Sequence, residues 1–156
     1  MEKAFNIFRS KGLKIDLSTT NKILELINSN NKNEDMLKIA LNIFKENNIT
    51  FDLVSYNMIM NIYTRCDNFN EAKKIFDRLP EINLEADFVT YSILIKSLKN
   101  CSENKIENAM NLFRKYKRTQ NTKDISVYNA LLFLLVSEND KEKIDRIFED
   151  LVKEGL

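Results

Sequence analysis

The sequence predicts an all-α protein built as an α-solenoid of helix-turn-helix repeats of about 35 residues. Two glycines and one proline in 156 residues are few, whereas sheets with tight hairpins depend on such turn residues. Three kinds of residue marker recur along the chain at one common spacing. Each recurring unit also carries two apolar faces with helical periodicity. These observations favour stacked helices over a sheet.

The recurring markers are a small residue followed four positions later by Phe, an acid, and an Asn or Ser. The first kind comprises Ala4/Phe8, Ala40/Phe44, Ala72/Phe76 and Ala109/Phe113, followed by Ile144/Phe148. The acids are Asp16, Asp52, Asp87 and Asp124, at intervals of 36, 35 and 37 residues. The polar residues with the same three intervals are Asn21, Asn57, Ser92 and Asn129. The sequence therefore predicts one array over 1–156, with a half repeat at 1–16, whole repeats at 17–52, 53–87 and 88–124, and a truncated repeat at 125–156.

The unit 53–87 shows the two helices most clearly. Its first apolar face is formed by Tyr56, Ile59, Met60 and Tyr63, at i, i+3, i+4 and i+7. Its second face, with the same spacing, is formed by Ala72, Ile75, Phe76 and Leu79. The polar segment Cys66–Asn68 separates the two helices, and Pro80 ends the second one. A lone helix pair cannot cover such faces, so stacked pairs must bury a continuous core.

Composition excludes several classes of function. The formal net charge of +1 predicts no strong general attraction to nucleic acid or membrane. There is no His, and Cys66 and Cys101 do not form a Cys-x-x-Cys pair, so we expect no metal and no cofactor. No apolar segment is long enough to span a membrane. No acid pair, Ser/His/Asp set or phosphate-binding loop appears in the sequence, so we expect no enzyme activity.

The basic start of the chain, MEKAFNIFRSKGLK, has two interpretations, a weak transit peptide or the end of a repeat, and the repeated pattern favours the second.

The segment DLVSYNMIMNIYTRCDNFNEAKKIFDRLPE resembles a pentatricopeptide repeat (PPR) almost throughout. VTYSILIKSL and VYNALLFLL are similar to the first helix of that repeat. The resemblance implies a right-handed solenoid that binds single-stranded RNA. The alternative is the peptide-binding tetratricopeptide repeat, which requires Gly or Ala in the middle of the first helix. This chain has larger residues there, namely Leu24, Met60, Ile95 and Leu132.

The resemblance also implies which residues read the bases. In the PPR family, the residue after the first-helix Tyr and the last residue of the repeat together select one base. The implied pairs here are Asn21 with Asp52, Asn57 with Asp87, and Ser92 with Asp124, while Asn129 lacks its partner. Asn with Asp favours U and then C, and Ser with Asp favours G. Because family arrays run parallel to the RNA, the implied sequence is 5′-U/C-U/C-G-3′.

Further positions have implied roles in contacts with the base faces and the RNA backbone. The second residue of each repeat packs against base faces in the family, and Val54 and Val89 suit that role better than Ser18 and Ser126. A basic residue near the end of the first helix contacts phosphate in the family, and only Arg65 matches well. The equivalent residues in the other repeats are not basic, namely Ser29, Asn100 and Ser137. Lys99 lies next to Asn100 in the sequence.

The sequence leaves two alternatives to base reading open. Asn, Ser and Asp near a helix start are common capping residues, so the implied code residues could serve the helices alone. The chain could also be a scaffold subunit of a larger assembly, such as an organellar ribosome, in contact mainly with protein or structural RNA. The expected open ends of the solenoid are then candidate surfaces for protein partners. The resemblance alone implies a mitochondrion or plastid, with the cytoplasm as the alternative.

Overall fold

A computed structural model of the chain describes residues 15–29, 34–101, 104–120 and 124–156. Within these ranges the chain forms eight α-helices and no strand, which confirms the predicted all-α class. The helices are α1 (Leu17–Ser29), α2 (Glu34–Glu46), α3 (Leu53–Arg65), α4 (Phe69–Arg78), α5 (Phe88–Ser97), α6 (Lys105–Thr119), α7 (Ile125–Ser137) and α8 (Lys141–Lys153). Short 3-10 turns at Pro80–Ile82 and Leu98–Asn100 follow α4 and α5. The predicted half repeat at 1–16 lies almost wholly outside the described residues.

The helices pack in two layers as an α-solenoid. The first helices of successive pairs lie side by side, with α3 between α1 and α5, and α5 between α3 and α7. Each second helix packs against the first helix of its own pair, and α2, α4 and α6 also pack against the first helix of the next pair. The core therefore runs without interruption from Leu24 and Leu37 to Leu135 and Ile147.

Asn and Asp residues explain how the helices end with so few glycines. The backbone adopts the left-handed conformation at Asn48, Asp67, Asn83 and Asn139, with φ of 54°, 59°, 56° and 56°. These residues follow the ends of α2, α3, the 3-10 turn after α4, and α7. Asn and Asp tolerate this conformation better than other side-chain-bearing residues because their short polar groups bond locally. The low glycine content is therefore compatible with several sharp turns.

Aromatic contacts join each repeat to the next. The buried alanines Ala72 and Ala109 lie one turn before Phe76 and Phe113. The Phe76 ring meets the Tyr91 ring edge-on with centroids 5.4 Å apart, and the Phe113 ring meets the Tyr128 ring in the same way at 4.9 Å. Edge-to-face pairs at these distances add to the stabilisation from apolar burial. Phe76 and Phe113 thus pack against the Tyr of the following first helix, whereas Phe44 packs edge-on against Phe51, which in turn packs against Tyr56.

A hydrogen-bonded charge cluster joins α6, α7 and α8. The Lys117 ammonium lies 2.6 Å from Asp150 Oδ1 and 3.1 Å from Glu154 Oε1, and the Tyr128 hydroxyl donates to Asp150 Oδ2 at 3.1 Å. Although burial lowers it, the hydrogen bonds to Asp150 and Glu154 raise the pKa of Lys117. Burial and the hydrogen bond to Asp150 raise the pKa of Tyr128 to about 12. The cluster is thus most stable when the Lys117 amine and the Tyr128 phenol are both protonated.

We predict that Phe113→Ala lowers the free energy of unfolding by about 3–5 kcal/mol, because the ring is buried and its removal leaves a cavity. The matched control is Phe148→Ala, at the equivalent position of the last repeat. Phe113 is 3% exposed and Phe148 is 51% exposed, so the control loses little buried area. Urea denaturation of both variants measures the difference. Similar reductions in the two variants would contradict the packing role of Phe113.

We predict that Tyr128→Phe reduces the loss of stability above pH 10. The folded-state pKa of about 12 exceeds the ordinary value of 10.0, so folding favours the protonated phenol. That contribution is complete below pH 10 and is lost as the pH rises toward 12. Urea denaturation from pH 8 to 12 should show a smaller decline for Tyr128→Phe than for the wild type. The half-buried Tyr56 provides a control as Tyr56→Phe, and parallel curves for wild type and Tyr128→Phe would contradict the prediction.

Candidate nucleic-acid interface

The first helices share one face, which we call the first-helix face. It consists of the residues at four equivalent positions in each first helix, with relative spacing i, i+3, i+7 and i+10. They are Ser18, Asn21, Glu25 and Asn28 on α1, Val54, Asn57, Asn61 and Thr64 on α3, Val89, Ser92, Lys96 and Lys99 on α5 and the turn after it, and Ser126, Asn129, Phe133 and Val136 on α7. Side chains of this face contact one another across neighbouring helices, since the Asn61 side-chain amide, at the third position on α3, donates to Asn28 Oδ1, at the fourth position on α1, at 3.0 Å. A ligand lying across this face would meet equivalent positions of each repeat in turn.

Asn57 and Asp87 meet at the junction of two repeats. The Asn57 Nδ2 donates to Asp87 Oδ1 at 3.3 Å, although 30 residues separate the two along the chain. The Thr90 hydroxyl lies between them, 2.9 Å from Asn57 Oδ1 and 2.7 Å from Asp87 Oδ1. The structure therefore brings this predicted pair into direct contact, with a threonine of the next helix holding both members.

The pair Asn21 and Asp52 is held in the same way. The Ser55 hydroxyl lies 2.6 Å from Asn21 Oδ1 and 2.7 Å from Asp52 Oδ1. Burial raises the pKa of Asp52, but the hydrogen bonds from the Ser55 amide, the Ser55 hydroxyl and Asn21 outweigh it and lower that pKa overall. The Asp52 carboxylate is therefore a charged acceptor beside an amide.

The third predicted pair, Ser92 and Asp124, is arranged differently. The Ser92 hydroxyl is 3.2 Å from the Ser126 hydroxyl, and the Ser126 N–H donates to Asp124 Oδ1 at 2.8 Å. Ser126 thus connects the two members at the second residue of α7, one position earlier than Ser55 in α3 and Thr90 in α5. Asn129 is exposed on α7.

The predicted acids are helix caps. Asp52, Asp87 and Asp124 each precede a first helix, and their side chains accept from Ser55 N, Thr90 N and Ser126 N. At Asp87 the cap is reciprocal, because the Thr90 hydroxyl also accepts from the Asp87 N–H at 3.2 Å. All three bonds that the Asp87 side chain accepts, from Thr90 N, the Thr90 hydroxyl and Asn57 Nδ2, are to Oδ1. Asp87 Oδ2 has no hydrogen-bond partner in the described part of the chain. Capping therefore leaves one carboxylate oxygen available for a further donor.

The polar members of the pairs differ in their accessibility. Asn57 is 7% exposed and Ser92 is 4% exposed, whereas Asn21 is half-buried and Asn129 is exposed. An amide side chain has two donor hydrogens and two acceptor lone pairs, so the two bonds of Asn57 leave one of each. Contact with a base at Asn57 or Ser92 therefore requires that the base reach a largely buried side chain, whereas Val54 and Val89, one turn earlier, are exposed.

Val54 and Val89 are exposed, as expected for residues that pack against a flat ligand. Val54 lies one turn before Asn57, and Val89 lies one turn before Ser92.

Arg65, the predicted phosphate contact, is half-buried, and its guanidinium donates to the carbonyl oxygen of Asn28. That bond caps the end of α1, so Arg65 has a structural role beside any role toward a ligand.

Sequence reasoning missed two groups of residues on this face. The hydroxyls of Ser55 and Thr90 hold the pairs, and their signal was a Ser or Thr three residues after the capping Asp. Lys96 and Phe133 also lie on the first-helix face, one turn beyond Ser92 and Asn129. Extending the i, i+3 pattern to i+7 would have found both.

The described residues hold no group of three or more His, Cys, Asp or Glu that could bind a metal ion. Cys66 and Cys101 are half-buried and do not form a disulfide. None of the described helices is both long enough and apolar enough to cross a bilayer.

Comparisons with known proteins agree on one family. Family models described as PPR repeat family, pentatricopeptide repeat domain and PPR repeat match residues 52–100, 5–66 and 126–156. A pentatricopeptide repeat-containing protein of Arabidopsis thaliana is 29% identical over 94 residues, which are 60% of this chain and 17% of the relative. Another from the same plant, named as mitochondrial, is 21% identical over 80% of this chain and 25% of its own length.

Solved structures show the same fold. The pentatricopeptide repeat protein PPR10, crystallised in complex with an 18-nucleotide psaJ RNA element, matches with a TM-score of 0.82 at 22% identity. The match covers 100% of this chain and 22% of PPR10. The chain thus spans less than a third of the length of the relatives described here.

We predict that Asp87→Ala lowers the free energy of unfolding by about 0.5–2 kcal/mol, because α5 loses its cap. Asp87→Asn should cost much less, since Asn caps a helix about as well as Asp. The control is Asp77→Ala, an exposed acid within α4 paired with Lys73. Urea denaturation of the three variants makes the comparison. Equal stability of Asp87→Ala and Asp77→Ala would show that the cap contributes nothing.

Proposed function

Because the chain belongs to the pentatricopeptide repeat family, we propose that it binds single-stranded RNA and reads about one base with each repeat. The observation that carries the proposal is the contact between Asn57 and Asp87, together with the matching bridge between Asn21 and Asp52. Two side chains that select one base must lie within reach of the same base edge. These two pairs meet that requirement.

The proposed sequence is 5′-U/C-U/C-G-3′. The repeats 17–52 and 53–87 present an amide and a carboxylate to the first two bases, and the repeat 88–124 presents the hydroxyl of Ser92 and the carboxylate of Asp124. Unpaired RNA suits such a reader because its base edges are open to side-chain hydrogen bonds. Asn57 keeps one donor and one acceptor, and Asp87 keeps Oδ2, so this pair can bond a base without losing its internal bonds.

Val54 and Val89 are proposed to pack against the faces of the bases, and Arg65 to contact phosphate. Three bases, each contributing about 1–3 kcal/mol, only just offset an association cost of roughly 4–15 kcal/mol. With a net charge of +1, the isolated chain should therefore bind weakly. We propose a non-catalytic adaptor in the RNA metabolism of an organelle, which the mitochondrial names of several relatives support.

One observation favours a second candidate function, a helical scaffold within a larger assembly. Asn57 and Ser92 are almost fully buried and bonded to Thr90 and Ser126, as residues with a purely structural role would be. In that case the first-helix face would contact protein or structural RNA without selecting bases.

We predict that the wild type binds a short RNA centred on UUG more tightly than one centred on AAA, as measured by fluorescence anisotropy at low and moderate salt. Asn57→Ser should move the preference to UGG, and Ser92→Asn should move it to UUU, because each change replaces one proposed pair with the other. The expected discrimination at the altered base is about 1–3 kcal/mol.

A duplex RNA and the variant Asn70→Ala serve as controls, since Asn70 is exposed on the second helix α4. Thermal unfolding confirms that each variant is folded before binding is compared. Equal affinity for UUG and AAA, with no change in preference in either variant, would refute base reading. The scaffold function would then be the better account.

A further inference from the structure

A cavity of about 330 Å³ opens between the C-terminal ends of α3 and α5 and the middle of α7. Its wall includes Arg65, Lys96, Lys99 and Phe133, with Asp67 as the acid. Lys96, Lys99 and Phe133 belong to the first-helix face but lie beyond the paired polar residues described above. The volume falls at the lower end of the range for small-ligand sites.

The cavity has a net positive charge. Three cationic side chains line it, whereas the one carboxylate, Asp67, accepts a hydrogen bond from the Asn100 side-chain amide. Within the described part of the chain, neither Lys96 nor Lys99 has a carboxylate within salt-bridge distance. By contrast, Lys73 and Lys74 on the second helix α4 are paired with Asp77 and Glu71. The ammonium groups of Lys96 and Lys99 therefore suit an anionic ligand.

Phe133 adds an aromatic surface to this charge. The side chain is 55% exposed, and the Lys99 ammonium lies 5.3 Å from the centre of its ring. The equivalent positions in the other first helices are occupied by Glu25, Asn61 and Lys96, so the ring is not a repeated core residue. An open aromatic ring beside lysines is a combination that binds single-stranded nucleic acid, with the base stacked on the ring and the phosphate on the cations.

We propose that this cavity holds the nucleotide on the 3′ side of the three read bases, with its base stacked on Phe133 and its 5′ phosphate beside Lys96 and Lys99. The inference rests on the proposed function, which sets the direction of the RNA along the array. With that direction, the phosphate between the third and fourth bases falls between α5 and α7, where both lysines lie. Stacking accepts any base, so this contact adds affinity without sequence preference.

The test is a cycle of two changes, one in the RNA and one in the protein. The RNA contains UUG followed by either a normal nucleotide or an abasic one, and the protein is wild type or Phe133→Ala. In the wild type, the abasic change should weaken binding about fivefold or more. In Phe133→Ala, the abasic change should have almost no effect. The matched control is Phe148→Ala, which removes an equally exposed ring from the second helix α8 and should behave as the wild type.

The identity of the fourth base separates Phe133 from Asn129, which lies one turn earlier on α7. Stacking predicts similar affinity for all four bases, whereas reading by Asn129 predicts a preference for one. A preference that disappears in Asn129→Ala, with no coupling to Phe133, would overturn the inference.

Salt dependence tests the lysines. The double variant Lys96→Gln/Lys99→Gln should lower the slope of log affinity against log salt by about 0.7 for each phosphate that the protein no longer neutralises. Lys74→Gln/Lys141→Gln, on the second helices, should leave the slope unchanged. Equal slopes in the two double variants would show that the lysines do not contact the RNA.

If UUG is preferred but the abasic change does not couple to Phe133, this inference fails and base reading stands. If no RNA binds, both proposals fail.

Discussion

The packing of a second-helix Phe against the Tyr of the next first helix, at Phe76 and Phe113, is the constraint on which the rest of the structure depends. Phe76 against Tyr91 and Phe113 against Tyr128 set the distance and rotation between successive repeats. Hydrogen bonds across the repeat junction are short-range and directional, so they form only when that rotation is correct. The contact between Asn57 and Asp87 is therefore a consequence of apolar packing in the layer behind it.

Capping and base reading are compatible at the same carboxylate. Asp87 uses Oδ1 for the helix start and for Asn57, which leaves Oδ2 for a donor on a ligand. The cap also fixes the side-chain rotamer, so the second oxygen is held in place before a ligand arrives. Preorganisation of this kind reduces the entropy lost on binding. A capping residue at a repeat junction is thus a good place to put a recognition group.

Much of the fold could be predicted from the sequence, because it follows from local periodicity. The apolar faces of 53–87 predicted two helices, and the structure has α3 and α4 there. The resemblance to the PPR family implied the pairing of Asn57 with Asp87, and the structure brings the two side chains into contact. The bridging role of Thr90 could not be predicted, because it depends on a side-chain rotamer at the junction. The cavity beside Phe133 depends on three helices at once and on how charges from separate repeats are placed around it, which a linear pattern does not reveal.

The hydrogen bonds between neighbouring repeats have a consequence for folding kinetics. They join residues separated by 33 to 37 positions in the chain, as in Thr90 with Asn57 and Arg65 with Asn28. This separation is set by the repeat and does not grow when more repeats are added. Low contact order favours rapid folding, because little loop entropy is lost before each contact forms. An array of this kind can grow in length without each added unit folding more slowly than the last.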